Sequence, residues 1–458
     1  MVYDVLIIGG GASGSALLHV LANYTDIRRL ALVEKEAMAG QVNSKASNNS
    51  QTLHVGDIET NYSIEKVKSV YPAAMMVKRY ADGLSEEQRA RFLFPTQKLV
   101  IGVGEKEVAS LESRFQALQA IFPSVRLLSR KQVAEVEPNV VEGRDPRVPL
   151  NAIAAEGYAV DFERLAQTFV ENVQKQHPHV ETFFGHRVEQ LRKVDDGYEV
   201  VTKRNTFRTR VLVVDADSYS LLLAKQLGYG TEFSLIPIAG NFYFSRPLLK
   251  GKVYTVQEPK LPFAAVHGDP DVRVPGKTRW GPTARFHPVL EARRFATSLD
   301  FLRSSGFHRW QTWVSFVAIL FDPVRFFYLL ENMLYELPLI GTWMFLKHVR
   351  KIVPTIKYRD VELAQGYGGM RLQRVDTNQR ELLLGEGKIL GENVIFNMTP
   401  SPGASVCLYN AMRDAVKVVE FLGGDATFDE QRLKAELYQP VEADASDKDT
   451  SLKATYVS

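Results

Sequence analysis

The sequence predicts an α/β protein, α+β overall, in which a discontinuous Rossmann-like dinucleotide-binding domain carries an inserted antiparallel-sheet domain. Three observations predict it. Residues 4–34 read DVLIIGGGASGSALLHVLANYTDIRRLALVE, a complete strand–turn–helix–strand–acid unit. A second buried strand, Thr209 to Asp215 (TRVLVVD), appears far downstream and is followed by a helical stretch from Ala216 to Gly228. The segment from Pro237 to Ala284 is of another kind, rich in short strands and turns (GNFYFSRP, GKVYTVQEP, TRWGPTA).

The opening unit has a specific physical logic. Gly9 permits a tight turn, Gly11 lets the backbone approach a pyrophosphate, and Gly14 lets helix and strand pack closely. The helix start, with Ser13 in its first turn, offers free N–H groups and a positive dipole end to phosphates. Glu34, beside Lys35, ends the second strand and is placed to accept hydrogen bonds from both hydroxyls of an adenosine ribose.

A chain of 458 residues supports two or three domains' worth of core. A formal net charge of only +3 gives no reason to expect nucleic acid as a partner. Cys407 is the sole cysteine, so no disulfide forms within the chain and no Cys-rich metal site is expected, which fits a reducing compartment. The first apolar segment is short, lacks a basic leader and becomes the first strand, so a signal peptide is not expected.

The elements follow in order. Asn43 to Ser63 (NSKASNNSQTLHVGDIETNYS) is a long polar stretch, too rich in Asn and Ser to read as core, and such loops are often functional. Helical patterning runs from Ile64 to Tyr80 and from Glu105 to Phe122. Val180 to Thr202 alternates, with a hairpin turn at Asp196-Gly197. Residues 300–350 are helical and aromatic. Strand signals return in ELLLGE and NVIFNMT, followed by the turn PSPGAS and a helix from Val406 to Leu422. The expected dinucleotide-binding domain comprises residues 1–80, 150–228 and 360–430. The substrate domain comprises 81–149 and 229–359, and 442–458 is expected to be disordered.

Two features favour FAD over NAD. The turn at Gly403, Ala404 and Ser405 opens a helix, and such an N-terminus stabilises negative charge on a reduced flavin ring. The large strand-rich insertion suits a flavoenzyme substrate domain.

GGGASG with Glu34, NNSQTLHVGDIETNYS, KLPFAAVHGDPD, TRWGPTA, GYGGMR and SPGASVCLYNAMRDA together resemble the malate:quinone oxidoreductases, in their shorter epsilonproteobacterial form. The resemblance covers nearly the whole chain, from about Tyr3 to Leu422. It implies a D-amino-acid-oxidase-like flavoprotein that binds FAD, oxidises (S)-malate to oxaloacetate and passes electrons to membrane quinone. It also implies a cytoplasmic protein attached peripherally to the inner face of the cell membrane. The chain departs from the family where Asp217 follows Ala216 in place of a glycine, and where Leu372 follows Arg371 in place of a proline. Asp217 puts a Cβ and a carboxylate where backbone would otherwise lie close to the cofactor.

Oxidising a 2-hydroxy acid needs a cation for the carboxylate, a base for the hydroxyl proton and an acceptor for the hydride. Arginine suits the first because its planar fork binds carboxylate through two hydrogen bonds. Arg371, in a glycine-rich turn with Gly369, and Arg279, before GPTA, are the candidates. For the base, His54 in the polar loop and His267 at the start of HGDPD are both open, with Asp269 placed to orient His267. Asn49, Ser50 and Gln51 offer neutral donors and acceptors to the cofactor. No metal site is expected.

Trp310 to Leu346 is dense in aromatics. Its longest uncharged run has 12 residues, too short for the roughly 20 that span a bilayer. Helical spacing gathers Trp310, Trp313, Val314, Val317 and Phe321 on one face. From Arg285 to Asp360 there are 11 Lys/Arg against 6 Asp/Glu, which suits an anionic leaflet, so segment 310–346 is expected at a membrane surface. The alternatives are an L-2-hydroxyglutarate dehydrogenase or oxidase of the same fold, a flavin-binding protein without catalysis, and an NAD-dependent enzyme.

Overall fold

The buried run Val5–Ile8 forms the middle of a mainly parallel sheet, flanked on both sides by parallel strands. Burying each such apolar side chain contributes about 1.5–3 kcal/mol. The computed structural model describes residues 1–257, 265–335, 337, 340–383, 386–398, 402–440 and 455–457. Residues 260–264 of KLPFAAVHGDPD, 384–385 of ELLLGE and 399–401 of MTPSPGAS lie outside these, as does most of the expected disordered tail.

The chain begins with β1 (Val2–Ile8), α1 (Ala12–Tyr24) and β2 (Leu30–Val33). After the long loop come α2 (Ile64–Asp82), α3 (Glu86–Ala90), β3 (Leu93–Val103), α4 (Glu105–Gln119), β4 (Arg126–Ser129), α5 (Arg130–Val136), α6 (Pro138–Val141) and β5 (Leu150–Val160). The nucleotide half resumes with α7 (Phe162–Gln176), β6 (Glu181–Phe183), β7 (Val188–Val194), β8 (Gly197–Thr202), β9 (Thr206–Val214) and α8 (Ser218–Gln226). Short strands follow: β10 (Phe233–Gly240), β11 (Tyr243–Ser245), β12 (Lys252–Thr255), β13 (His267–Pro270), β14 (Thr278–Gly281) and β15 (Arg285–Phe286). Four helices come next, α9 (Ser298–Ser305), α10 (Trp310–Leu320), α11 (Pro323–Leu334) and α12 (Ile340–Ile352). The chain closes with β16 (Glu362–Leu363), β17 (Gly369–Asp376), β18 (Glu381–Leu383), β19 (Gly387–Gly391), β20 (Val394–Met398), α13 (Cys407–Phe421), α14 (Glu430–Leu437) and β21 (Thr455–Val457).

Three sheets result. The first runs β21-β19-β20-β9-β1-β2-β6, with the β7–β8 hairpin attached to β9. The downstream strand β9 lies parallel to β1, so the nucleotide unit is assembled from distant pieces. The second sheet runs β16-β11-β14-β13-β12-β3-β5-β4 and the third β15-β10-β17-β18. β5 and β17 fall within ranges expected for the nucleotide domain but pair into the other two sheets, with β3 and β10 respectively. Within the expected tail, Thr455–Val457 pairs parallel with β19.

The polar loop departs from its expected character. Leu53, Val55 and Ile58 are core residues, and Gln51 and Thr52 are fully buried. Its polar groups are satisfied internally, which is what permits burial. The Asn49 side chain, for instance, donates to the carbonyls of Asn43, Ser44 and Lys45.

Candidate functional site

A cavity of about 800 Å³ opens where β1, β9, the 40–54 loop, β17 and the turn before α13 converge. That volume lies in the upper part of the roughly 300–1,000 Å³ range of ligand pockets. Gly9, Gly11, Ser13, Glu34, Lys35, Asn49, Ser50, His54, Ala216, Gly369, Arg371, Ala404 and Ser405 all line it.

The nucleotide end is built by close approach. Gly9 has φ +110°, and a Cβ there would stand 2.4 Å from the Asp215 carbonyl oxygen. At Gly14 a Cβ would stand 2.0 Å from the Gly9 carbonyl oxygen, so this glycine packs the helix rather than facing the cavity. No side chain from Gly11 caps α1. Glu34 accepts from the Gly10 and Glu36 N–H groups at 2.6 and 2.8 Å, which fixes its carboxylate at the cavity edge. Burial raises its pKa. Lys35 pairs with Glu291 and, with Arg187, stands over the Tyr219 ring. The Gly9–Gly11 turn, where backbone rather than side chain forms the wall, fits a dinucleotide, with the Glu34 carboxylate at its edge.

Asp217 lines the same cavity at φ +47°, a conformation that favours glycine. Its carboxylate accepts from Asn43 Nδ2, and burial raises its pKa. The side chain is thus turned aside onto the loop and held there.

At the other end, Arg371 and Gly369 share one face of β17, at positions i and i+2. Arg371 sits in a strand, paired opposite Ile238 of β10, rather than in the expected turn. Burial lowers its pKa, and the charges of Tyr328, Tyr62 and Tyr254 act against that. Among the described residues no carboxylate pairs with it. His54 Nδ1 lies 2.6 Å from Glu59 Oε1, and its Nε2 lies 3.1 Å from Ser50 Oγ. Glu59 also accepts from the Gly56 N–H at 2.8 Å. Burial works to raise the Glu59 carboxyl, but its hydrogen bond to His54 and the attraction of that imidazole outweigh it, so its pKa is lowered. The His54 N–H donates to Ser405 Oγ at 3.0 Å, tying the loop to the turn before α13. That helix begins at Cys407, after Gly403, which does not line the cavity.

Besides Gly14 and Gly403, four more expected site residues lie outside the cavity. HGDPD is strand β13, not loop, and His267 and Asp269 point to one face of it. Asp269 Oδ2 accepts from Lys252 Nζ and Arg279, each at 2.9 Å, and all three are essentially fully buried. Arg279 also donates to the Asn49 and Ser50 carbonyls at 3.1 and 2.9 Å. Asp269 is therefore the counter-ion of two cations, and Arg279 holds the loop from beneath. His267 stacks on Tyr254 at 4.4 Å, and burial pushes its pKa down to about 3, too weakly basic to take a proton. Gln51, at φ +51°, donates to the Ala46 carbonyl and Asp271. Sequence reasoning missed Glu59 and the tyrosines near Arg371. Glu59 lies five residues after His54 in the same loop, which is the only local signal it carries.

A model of the FAD dependent oxidoreductases matches residues 4–404. The malate:quinone oxidoreductase of Helicobacter pylori is 40% identical over 433 residues, spanning 92% of this chain and 95% of that protein. The chain belongs to the malate:quinone oxidoreductase family of FAD-dependent oxidoreductases. A more distant relative is the mitochondrial L-2-hydroxyglutarate dehydrogenase of Caenorhabditis briggsae, 26% identical over 89% of this chain and 91% of that one. The FAD-bound L-α-glycerophosphate oxidase of Mycoplasma pneumoniae shares the fold, with a TM-score of 0.67 at 19% identity over 93% of this chain and 96% of that one. FAD is thus the cofactor, rather than NAD. Within this FAD-dependent family, the glycine cradle with Glu34 is the end that fits the adenosine and diphosphate.

Proposed function

We infer that this protein oxidises (S)-malate to oxaloacetate and delivers the electrons to quinone. The observation that carries this reading is Arg371: a half-buried cation on the cavity wall with no carboxylate partner among the described residues. Removing a charge from water costs several kcal/mol unless an opposite charge restores it. A substrate carboxylate supplies that charge. His54, which holds Glu59 through Nδ1, lines the same cavity as Arg371 and so supports a base and an anion site sharing one pocket.

FAD, when bound, supplies the hydride acceptor. The residues do the rest. Arg371 holds the carboxylate and orients the α-carbon. Glu59 keeps the proton on His54 Nδ1, leaving the Nε2 lone pair to accept the substrate hydroxyl proton. Loop residues Asn49 and Ser50 close the cavity around the reacting groups.

The α10–α12 region supports attachment to an anionic membrane. Trp310, Trp313, Val317, Phe321 and Trp343 are all more than half exposed, a density unusual for a surface facing water. Val314, expected with them, is only partly exposed. Exposed Lys347 and Arg350 lie on the same helix as Trp343. Among the described residues no helix is long and apolar enough to cross a membrane. The arrangement suits a protein lying in the interface.

The test is anaerobic bleaching of the holoenzyme flavin by (S)-malate against L-2-hydroxyglutarate. Bleaching by malate alone is expected; bleaching by 2-hydroxyglutarate alone overturns the reading. Co-sedimentation with phosphatidylglycerol vesicles tests attachment, and Trp310→Ser with Trp343→Ser should release the protein.

A further inference from the structure

Helix α11 joins the cavity to the apolar surface. On its inner side Asn332 Oδ1 accepts from the Ala284 backbone N–H at 2.7 Å, and Asn332 is 3% exposed. Ala284 lines the cavity. Leu329, one turn earlier, packs in a single apolar cluster with Ile238 and Ala284, both cavity-wall residues, and with Phe316 and Ile319 of α10. Tyr328 interacts electrostatically with Arg371. On its outer side the same helix presents Phe327, Leu330 and Met333, which are 67%, 41% and 55% exposed. A helix with its side chains is about 10–12 Å across. One helix is therefore all that separates the cavity wall at Ala284 from an exposed apolar face.

We propose that this face of α11 is the docking site for the prenylated quinone, and that α11 is the wall across which it is reduced. The proposal rests on the quinone-reducing reading above. The occupant follows from the chemistry of the surface. It is apolar across Phe327, Leu330 and Met333 and joined through Phe326 to Phe321 at the end of α10, where an isoprenoid tail can lie. Phe321 stacks on Phe326 at 5.5 Å and closes the α10–α11 turn over that end. A charged or hydrophilic acceptor gains nothing from such a surface, whereas a lipid-dissolved quinone buries its tail and brings its ring to the helix next to the cavity. The net reaction balances: the α-C–H and O–H of malate give up two electrons and two protons, and the quinone takes up two electrons and two protons to become the quinol.

The test uses the purified holoenzyme in detergent, so membrane attachment does not enter. The enzyme is first reduced with dithionite, which makes the measurement independent of the organic substrate. Its flavin is then reoxidised in a stopped-flow instrument by a decyl-tailed benzoquinone or by the soluble dye dichlorophenolindophenol. Phe327→Ser with Leu330→Ser should slow reoxidation by the decylquinone at least tenfold and leave that by the dye within twofold. Leu363→Ser, half exposed but on β16, should leave both unchanged. In parallel, a photoreactive azidoquinone should label a peptide within 310–334. Equal rates with the decylquinone in the double variant and the parent protein, or labelling confined to the 40–50 loop, would overturn the proposal. A malate-insensitive flavin that still reoxidises in this pattern would instead overturn the substrate reading alone.

Discussion

Two groups of charged side chains meet at the loop from Asn48 to His54 and differ in what faces them. Below it, Asp269 pairs with Lys252 and Arg279, Asp271 pairs with Arg279 as well, and the two cations hold the Asn49 and Ser50 carbonyls. At the cavity, Arg371 has no carboxylate partner among the described residues, and His54 directs one ring nitrogen at Glu59 and the other at Ser50. Both groups contain an arginine, a histidine and an acid. The closed group carries its own charge partners and ties the loop down, although His267 Nε2, Asp269 Oδ1 and Arg279 Nε find no hydrogen-bond partner within it. The open group lacks an acid for its arginine, and on the reading proposed above the substrate carboxylate supplies it.

The largest effects should separate the two arginines. Arg279→Ala strips a buried carboxylate of a partner, and breaking such a pair costs about 3–5 kcal/mol. Expression, FAD content and thermal stability should all fall. Arg371→Ala removes a cation that lacks a partner, so stability should hold or rise in the ligand-free protein. Its kcat/KM for malate should drop by about 100-fold or more, as expected when a charge-assisted contact worth about 3 kcal/mol is lost. If Arg371→Ala unfolds the protein and Arg279→Ala spares it, the division between closed and open groups is wrong.

The histidines sharpen the same contrast. His54→Gln should lower kcat by roughly 10²–10⁴-fold, the usual worth of a positioned base, with flavin content intact. His267→Gln should leave kcat near the parent value. Glu59→Gln should lower kcat by about tenfold or more with little change in KM. A loss of stability with kcat unchanged would make Glu59 a structural residue only.

What the sequence made legible was local. The run Val5–Ile8, the glycines at 9, 11 and 14, and Glu34 all lie within one continuous unit, so spacing alone carries their roles. The rest depended on partners brought from afar. His267 and Asp269 look like loop residues beside a glycine, but pairing with β12 and β14 makes them a strand, with Tyr254 opposite His267 and Arg279 opposite Asp269. In a strand, alternate residues face opposite sides, so a side chain's destination follows from register, which no short motif reveals. The polar loop misled in the same way: it is held down from afar, where Lys252 and Arg279 donate to the Asn49 and Ser50 carbonyls.

The buried histidines also set a pH dependence of stability. Burial pushes His267 down to about 3 and His19 to about 4. Both are neutral when folded and ordinary, near 6.5, when unfolded. Between those values the unfolded chain binds more protons, so stability is full above about pH 6.5 and declines as the pH falls toward 4. Urea midpoints measured across that range should show the decline, and His19→Gln should flatten it. A midpoint independent of pH would contradict the neutral, buried state of both rings.

The smallest effect concerns Asp217. It occupies a left-handed conformation at the cavity wall, which costs a non-glycine residue about 1–3 kcal/mol. Its raised pKa reports that ionisation is disfavoured where it sits, beside the cradle that takes the diphosphate. Asp217→Gly removes strain and charge together, so FAD should bind more tightly and the apoprotein should gain up to about 1 kcal/mol. Asp217→Asn removes the charge and keeps the strain, so the difference between the variants assigns the cost. FAD titration by fluorescence quenching reads both. If neither variant tightens binding, the Asn43 hydrogen bond already compensates, and Asp217 belongs with the closed, self-satisfied groups rather than with the open ones.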